Sequence, residues 1–427
     1  MTSHRCDIGV ELAKAWNGGP RLFEGILDSP IFEATDFHRA LQATTSAMAT
    51  GIAEPSGRWG INGREASPSE VQSFLPDNRS ESFETYESRL RSTFPGDEFH
   101  IIIDGIDSAS PALRDKLTPL LHSLFSRVGY PVRGIHSCIY AGNYRSTPFG
   151  VHVDDCHVVM ACGIGRKRMA FWPTEYFADR SDLLAPAAGN MLIVDAREHL
   201  EHATILEIGP HDILYWPAGV WHTALSDNDA FHAALSVGIY HRGSSTNLVR
   251  QTIPLPRRVP MNTGLNAFAA MDMNGFSLGP SASALDLVPA LYMQAWCDVR
   301  DQVMQEAAAV RFFLQKMFSM VSSAGFGTPP ASVIDEQANM VRCPHPPALT
   351  WQRLHNGTLL VAFNGSTVIL VEAGPSLEAA LGELKNGSAL PIATLEELSG
   401  SWQAAKVKGF LLESGHCFRS SLMEAST

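Results

Sequence analysis

The sequence predicts a mainly β core, a helical region after it and a small α+β domain at the C-terminal end. Three observations predict this. Short apolar segments divided by turns crowd residues 135–240, a spacing that suits a sandwich or barrel better than a parallel α/β sheet. Apolar residues then recur at steps of four and three across 285–321. Near the C-terminus, Asn364 and Gly365 separate two apolar runs, a strong hairpin signal.

A chain of 427 residues suggests two or three units, and 45% hydrophobic against 18% charged residues is enough to bury sizeable cores. Residues 1–95 mix short apolar patches with Gly, Ser and Pro. They are expected to pack on the β-rich core, with a helix near Phe37–Met48 and a polar loop over 56–79. Strand signals sharpen from His100, and 110–128 carries Leu113, Leu117, Leu120, Leu121 and Leu124 at helical spacing. Strands are expected at 135–140, 151–153, 157–162, 168–172, 191–194, 202–208, 212–216 and 232–240. Together, 96–243 reads as the catalytic domain. Residues 244–327 read as a connector and a helix bearing Val299, Val303, Ala307, Val310, Leu314, Met317 and Val321 on one stripe. That stripe suits either packing within the chain or a homodimer contact. Residues 348–427 combine the hairpin with three short helical patterns and suit a winged-helix-like domain that binds substrate.

Charge and cysteine usage narrow the classes of function. The formal charge of −12 argues against broad nucleic-acid binding, and 391–403 offers no Lys or Arg to phosphates or base edges. Seven scattered cysteines without a CxxC pair make neither a disulfide framework nor a zinc finger. No apolar run reaches membrane-spanning length, and no signal core opens the chain. A reducing cytoplasm is the expected setting, with no nucleic-acid or membrane partner.

The chemistry concentrates in two segments. His152 and Asp154 stand at i and i+2, so a strand projects both to one face. A strand, a Pro/Gly turn and His222 follow in the run from Asp212 through Trp216, Pro217, Gly219 and Trp221. Two imidazoles and one carboxylate suit non-haem iron(II) with positions left open. Lys167 begins a further strand, and a buried lysine requires an anion. The other histidines (157, 199, 202, 211, 232 and 241) read as core or surface residues. Asp155 points away from the metal by strand alternation, and Trp172, Trp216 and Trp221 read as packing.

These segments, with Thr147 to Gly150 before them and Gly165 to Pro173 between them, resemble the JmjC / cupin-like 2-oxoglutarate oxygenases, closest to their protein-hydroxylase, ribosomal oxygenase-like branch. The lysine fifteen residues after the first histidine is part of the resemblance, which covers about 95–242. It implies a double-stranded β-helix (cupin/jelly-roll) core. It also implies His152, Asp154 and His222 as iron(II) ligands and catalytic residues, with Lys167 on the far carboxylate of 2-oxoglutarate. Tyr140, Thr147 and Ser236 would complete the cosubstrate pocket. The implied reaction uses O2 and hydroxylates a side chain of a protein or ribosomally made precursor peptide, releasing succinate and CO2. Demethylation uses the same iron chemistry, and a cupin-fold binding or regulatory protein without turnover is the alternative from another class; Lys167 is the residue such a protein has no need of. One departure is His211 where the family carries Gly before Asp212.

Overall fold

The computed structural model describes residues 7–241 and 306–420, apart from 51–54, 77–80, 132, 146–149, 178–183, 186–187, 193–194, 226–229, 330–333 and 355–356. Met1–Arg242 and Phe318–Thr427 make one compact unit, and Gly243–Met317 a second. Of the predicted helical stripe, Val299 and Val303 lie outside the described residues, whereas Ala307, Val310, Leu314, Met317 and Val321 fall within a described helix. A helix over Glu306–Ser322 carries its C-terminal part.

Fourteen strands build the core. In chain order they are β1 (Arg21–Phe23), β2 (Ser56–Ile61), β3 (Arg64–Glu65), β4 (Phe99–Asp104), β5 (Ile135–Gly142), β6 (Val151–His152) and β7 (His157–Ile164). Then come β8 (Lys167–Trp172), β9 (Leu184–Ala185), β10 (Ala188–Leu192), β11 (Thr204–Ile208), β12 (Ile213–Trp216), β13 (Trp221–Leu225) and β14 (His232–Ile239). An eight-stranded sheet runs β1-β12-β7-β14-β5-β4-β2-β3, and a six-stranded sheet runs β11-β8-β13-β6-β10-β9. From β5 to β8 and from β11 to β14, strands adjacent in sequence alternate between the two sheets, which is the double-stranded β-helix that the family resemblance implies.

Period-two alternation sorts the larger sheet's side chains. Val159, Ala161, Ile213, Tyr215, Leu235 and Val237 join the core under the N-terminal helices, whereas Val158, Met160, Cys162, Leu214, Trp216 and Ala234 face the smaller sheet. The N-terminal helices are α1 (Ile8–Ala15), α2 (Ala34–Thr50), α3 (Pro68–Phe74) and α4 (Phe83–Thr93). Next come α5 (Ile106–Ala109) and α6 (Pro111–Val128), the latter N-capped by the Ser110 hydroxyl. Leu12, Phe37, Leu41, Leu121 and Leu124 are fully buried in this layer.

Two sequence expectations need correction. Residues 56–74 of the expected loop form regular elements instead: β2 pairs along its whole length with β4, from Ser56↔Asp104 to Ile61↔Phe99, and α3 begins with a capping box between Ser67 and Glu70. Two glycines and an arginine hide the strand alternation, and pairing with the apolar β4 decides it. The expected strand at 202–208 starts at Thr204, because Ala196–His202 forms a 3-10 helix N-capped by Asp195.

Past helix α7 (Glu306–Ser322), the C-terminal lobe holds β15 (Met340–Arg342), β16 (Leu349–Arg353), β17 (Leu359–Phe363), β18 (Ser366–Leu370), β19 (Ala389–Pro391) and β20 (Cys417–Phe418). Its helices are α8 (Pro375–Lys385), α9 (Ile392–Ser399) and α10 (Ala404–Glu413). The hairpin β17–β18 turns at Asn364 (φ 45°) and Gly365 (φ 93°), the left-handed pair that an Asn-Gly turn supplies. Leu359, Val361, Phe363, Leu377, Leu384, Leu395 and Leu411 form this lobe's own core. Among the described residues, no helix is long and apolar enough to cross a membrane.

Candidate active site

The three candidate metal ligands converge across neighbouring strands. His152 on β6 lies directly opposite His222 on β13, their ring centres 4.3 Å apart. Asp154, two residues beyond His152, places a carboxylate oxygen 3.4 Å from His222 Nε2. One donor atom from each residue falls within 4.8 Å of the others, and among the described residues no other group of three His, Cys, Asp or Glu does so.

Backbone carbonyls orient both rings. His152 Nδ1 is 3.1 Å from the Gly150 carbonyl and His222 Nδ1 is 3.0 Å from that of Val220. A carbonyl only accepts, so each Nδ1 carries a proton, which leaves Nε2 as the ring atom that can turn to a metal. The turn before His222 is tied to the Asp154 segment by the Gly219 N–H donating to the Asp154 carbonyl at 2.9 Å, with Gly219 at φ 86°.

Register then explains Lys167. On β8 and β13, Phe171 faces His222 and Met169 faces Ala224. Residues 167, 169 and 171 therefore share the face of the metal ligands, and Lys167 ends that row. It is 3% exposed. Its Nζ donates to Tyr144 Oη at 2.9 Å and lies 5.1 Å and 5.4 Å from the ring centres of Tyr140 and Tyr144. Among the described residues no carboxylate pairs with it.

The opposite wall comes from the larger sheet, where Tyr140 pairs with Ala234, and Ser236 with both Cys138 and Met160. Tyr140, Met160, Trp216 and Ser236 join the triad, Lys167, Met169 and Ala224 around one cavity. Tyr140 and Ser236 are thus brought to the predicted pocket, whereas Thr147 lies outside the described residues. Asp155 turns away, as expected, and pairs with Arg133 at 2.5 Å. His157 is a core residue, stacked on Trp16 and 3.0 Å from the Tyr215 hydroxyl. His211, the departure from the family, bonds the Leu27 carbonyl at 3.0 Å, while Asp212 accepts from Gly209 N and Gly25 N at 2.8 Å each.

Sequence reasoning missed Tyr144 and set aside His232. Tyr144 follows the end of β5, where the Asn143 side chain fastens the turn to Phe99 N and the Asp97 carbonyl. His232 packs edge-on against Tyr144 at 4.7 Å. No periodic pattern marks either; only the fold puts them beside Lys167.

Burial, followed by the neighbouring His222, lowers the His152 pKa to about 4. Burial raises the Asp154 carboxyl, but the hydrogen bond and charge of His222, with His152, outweigh it and leave that pKa lowered. Burial, then the Cys138 thiol beside it, pushes the Tyr140 hydroxyl upward and keeps it a neutral donor. His232 falls to about 3 through burial and then Lys167. An anionic carboxylate and a neutral imidazole are the forms a divalent metal takes, so this donor set fits iron(II), and Lys167 fits the distal carboxylate of 2-oxoglutarate.

The same shifts predict the acid sensitivity of the apoprotein. Burial holds His122 and His232 near 3 and His152 and His416 near 4. In the unfolded chain each takes up a proton near 6.5, while the folded chain resists until its lowered pKa. Stability is therefore full above about pH 6.5 and falls as pH drops toward 4, by roughly 1.4 kcal/mol per pH unit for each such histidine. Urea titrations of metal-free protein at pH 7.5, 6 and 5 should show this decline; equal midpoints would contradict it.

The fold and site define a double-stranded β-helix with a two-histidine, one-carboxylate metal centre, the architecture of non-haem iron oxygenases. Residues 125–247 match the JmjC domain family. Over 123 residues it is 25% identical to the bifunctional lysine-specific demethylase and histidyl-hydroxylase NO66 of Drosophila pseudoobscura pseudoobscura, a match spanning 28% of this chain and 12% of that protein. Among solved structures it is similar to E. coli YcfD, with TM-score 0.46 and 17% identity over 95% of this chain and 96% of that one. A second YcfD structure, a ribosomal oxygenase in complex with cobalt and 2-oxoglutarate, gives TM-score 0.46 and 15% identity over 97% and 98% of the two chains.

Proposed function

We propose that the chain hydroxylates a side chain of a protein or ribosomally made precursor peptide, in the manner of the ribosomal-oxygenase branch. Lys167 carries this reading: a buried ammonium with no carboxylate partner among the described residues, in one cavity with the triad, fits a cosubstrate with a free carboxylate. His152, Asp154 and His222 would hold the metal and leave positions open, and Lys167 would bind and orient 2-oxoglutarate, with Tyr144 fixing its Nζ. Tyr140 and Ser236 would offer further hydroxyls. Met160, Met169 and Trp216 would keep water from the cavity. Bound there, iron with 2-oxoglutarate and O2 supplies the oxidising power for a C–H bond, with succinate and CO2 as co-products.

The division into a catalytic domain at 96–243 and a winged-helix-like substrate-binding domain at 348–427 belongs to the same reading. So does a homodimer formed through the helical region, on the apolar stripe that its sequence carries. A protein substrate suits a chain whose C-terminal lobe has a core of its own and contributes nothing to the described cavity.

The test incubates iron-loaded protein with 2-oxoglutarate, O2 and a mixture of ribosomal proteins or synthetic precursor peptides, and follows succinate and polypeptide mass. The expected result is succinate above the substrate-free rate together with gain of one oxygen atom on one polypeptide. Formaldehyde release with loss of a methyl group would replace hydroxylation by demethylation. Failure to bind 2-oxoglutarate at all would leave the cupin binding-protein reading in its place.

A further inference from the structure

The C-terminal lobe meets the β core through a junction that is buried yet polar. Arg114 on α6 is 3% exposed. Its guanidinium donates to the Gly327 carbonyl and to the Asn364 carbonyl and Oδ1, the last two at 3.4 Å and 3.3 Å. It also lies 5.2 Å over the Phe326 ring. The hairpin turn it grips is held from a second side: Ser319 Oγ donates to the Gly365 carbonyl at 2.5 Å, and Gly365 N donates to Ser322 Oγ at 2.9 Å. A Cβ on Gly365 would stand 2.1 Å from the Gly327 oxygen, so the two backbones are in direct contact. Asn364 Nδ2 continues the network to the Ser414 carbonyl, at 2.7 Å, beyond α10.

Adhesion alone would be served better by apolar residues. A buried guanidinium hydrogen-bonded to neutral acceptors, with Asp107 and Asp115 acting on its charge but no ion pair to it among the described residues, carries a desolvation cost. Its planar fork gives direction in return, fixing the angle at which the groups it bridges meet. On the core side the path to the cavity is short. Ser137 on β5 takes Gly105 N on its carbonyl and Asp107 N on its hydroxyl, at 3.0 Å each, and so fastens the start of α5 and α6. Tyr140, three residues further along β5, lines the cavity.

We propose that Arg114 is a positioning residue that locks the C-terminal lobe to the cavity wall, so that order in the lobe and occupancy of the cavity are coupled. A macromolecular substrate held by the lobe would then be presented to the metal at a fixed distance. That last consequence rests on the proposed hydroxylase function; the lock does not.

Two measurements on the full chain test it. In calorimetry without ligand, wild type should unfold in one transition, and Arg114→Ala should split it, with the C-terminal lobe melting first by roughly 5 °C or more. Arg114→Lys, which keeps the charge but not the fork, should fall between them. A single unshifted transition in Arg114→Ala, or wild-type behaviour in Arg114→Lys, would overturn the proposal. In hydrogen exchange, Mn(II) with 2-oxoglutarate should slow the amides of β8 and β13 in both wild type and Arg114→Ala. The hairpin amides of β17 and β18 should slow only in wild type. Response of β8 and β13 in the variant shows that its core is folded. A hairpin that responds in Arg114→Ala, or ignores ligand in wild type while β8 and β13 slow, sinks the coupling. If β8 and β13 do not slow even in wild type, the proposed function has failed, and calorimetry alone decides the lock.

Discussion

Lys167→Met should separate stability from function in opposite directions. The substitution keeps most of the side-chain volume and removes a buried charge that no carboxylate balances among the described residues. Without ligand, the variant should be at least as stable as wild type, because an unpaired buried ammonium costs free energy that a thioether does not. Binding of 2-oxoglutarate to the iron-loaded protein should collapse. Two charge-assisted hydrogen bonds lost at about 1.5–3 kcal/mol each correspond to at least a 100-fold rise in Kd. Metal content should not change, because Lys167 is separate from the donor set. Absorbance of the iron–2-oxoglutarate complex measures the first quantity, thermal unfolding the second and metal analysis the third. A variant that binds 2-oxoglutarate as wild type does would remove the cosubstrate role of Lys167. One that is markedly destabilised would make the lysine structural, fastened for the sake of Tyr144.

His152→Ala and His222→Ala should each lower iron affinity by more than about 100-fold, since loss of an outer-shell partner alone costs 10- to 100-fold. Absorbance from bound 2-oxoglutarate and succinate formation should disappear with the metal. Asp155→Ala is the control. It sits beside Asp154 in sequence but pairs with Arg133 on the outside, so its metal content should match wild type. Titration with iron(II) under anaerobic conditions, read by metal content after desalting, distinguishes these cases. If Asp155→Ala loses iron and His152→Ala keeps it, the ligand assignment is wrong by register.

The sequence carried the inner site because ligand chemistry and strand alternation are both local. His152 and Asp154 stand two apart, the spacing that suits one face, although β6 ends at His152 and Asp154 is tied instead by the Gly219 N–H. A histidine after a Pro/Gly turn is placed by that turn. Lys167 was legible through its position at the head of a strand and its spacing from His152. The Asn364-Gly365 turn was legible for the same local reason: few residue pairs accept two successive positive φ angles. The two strand corrections fall where local preference is weak, at Gly57 and Gly60 in β2 and at the polar run before β11.

What only the tertiary structure decided is where distant pieces of chain meet. Tyr144 reaches Lys167 from 23 residues away, and Arg114 reaches Asn364 across 250. Neither pair leaves a periodic trace in the sequence. By itself the sequence determined the β-rich core, the hairpin and a metal-binding pattern, all set by steric and chemical rules acting over a few residues. The tertiary structure decided that an unpatterned tyrosine fastens Lys167, and that a buried arginine joins the C-terminal lobe to the core. Long-range contacts depend on how the sheets close and which surfaces they leave to be covered, and closure is a property of the whole chain.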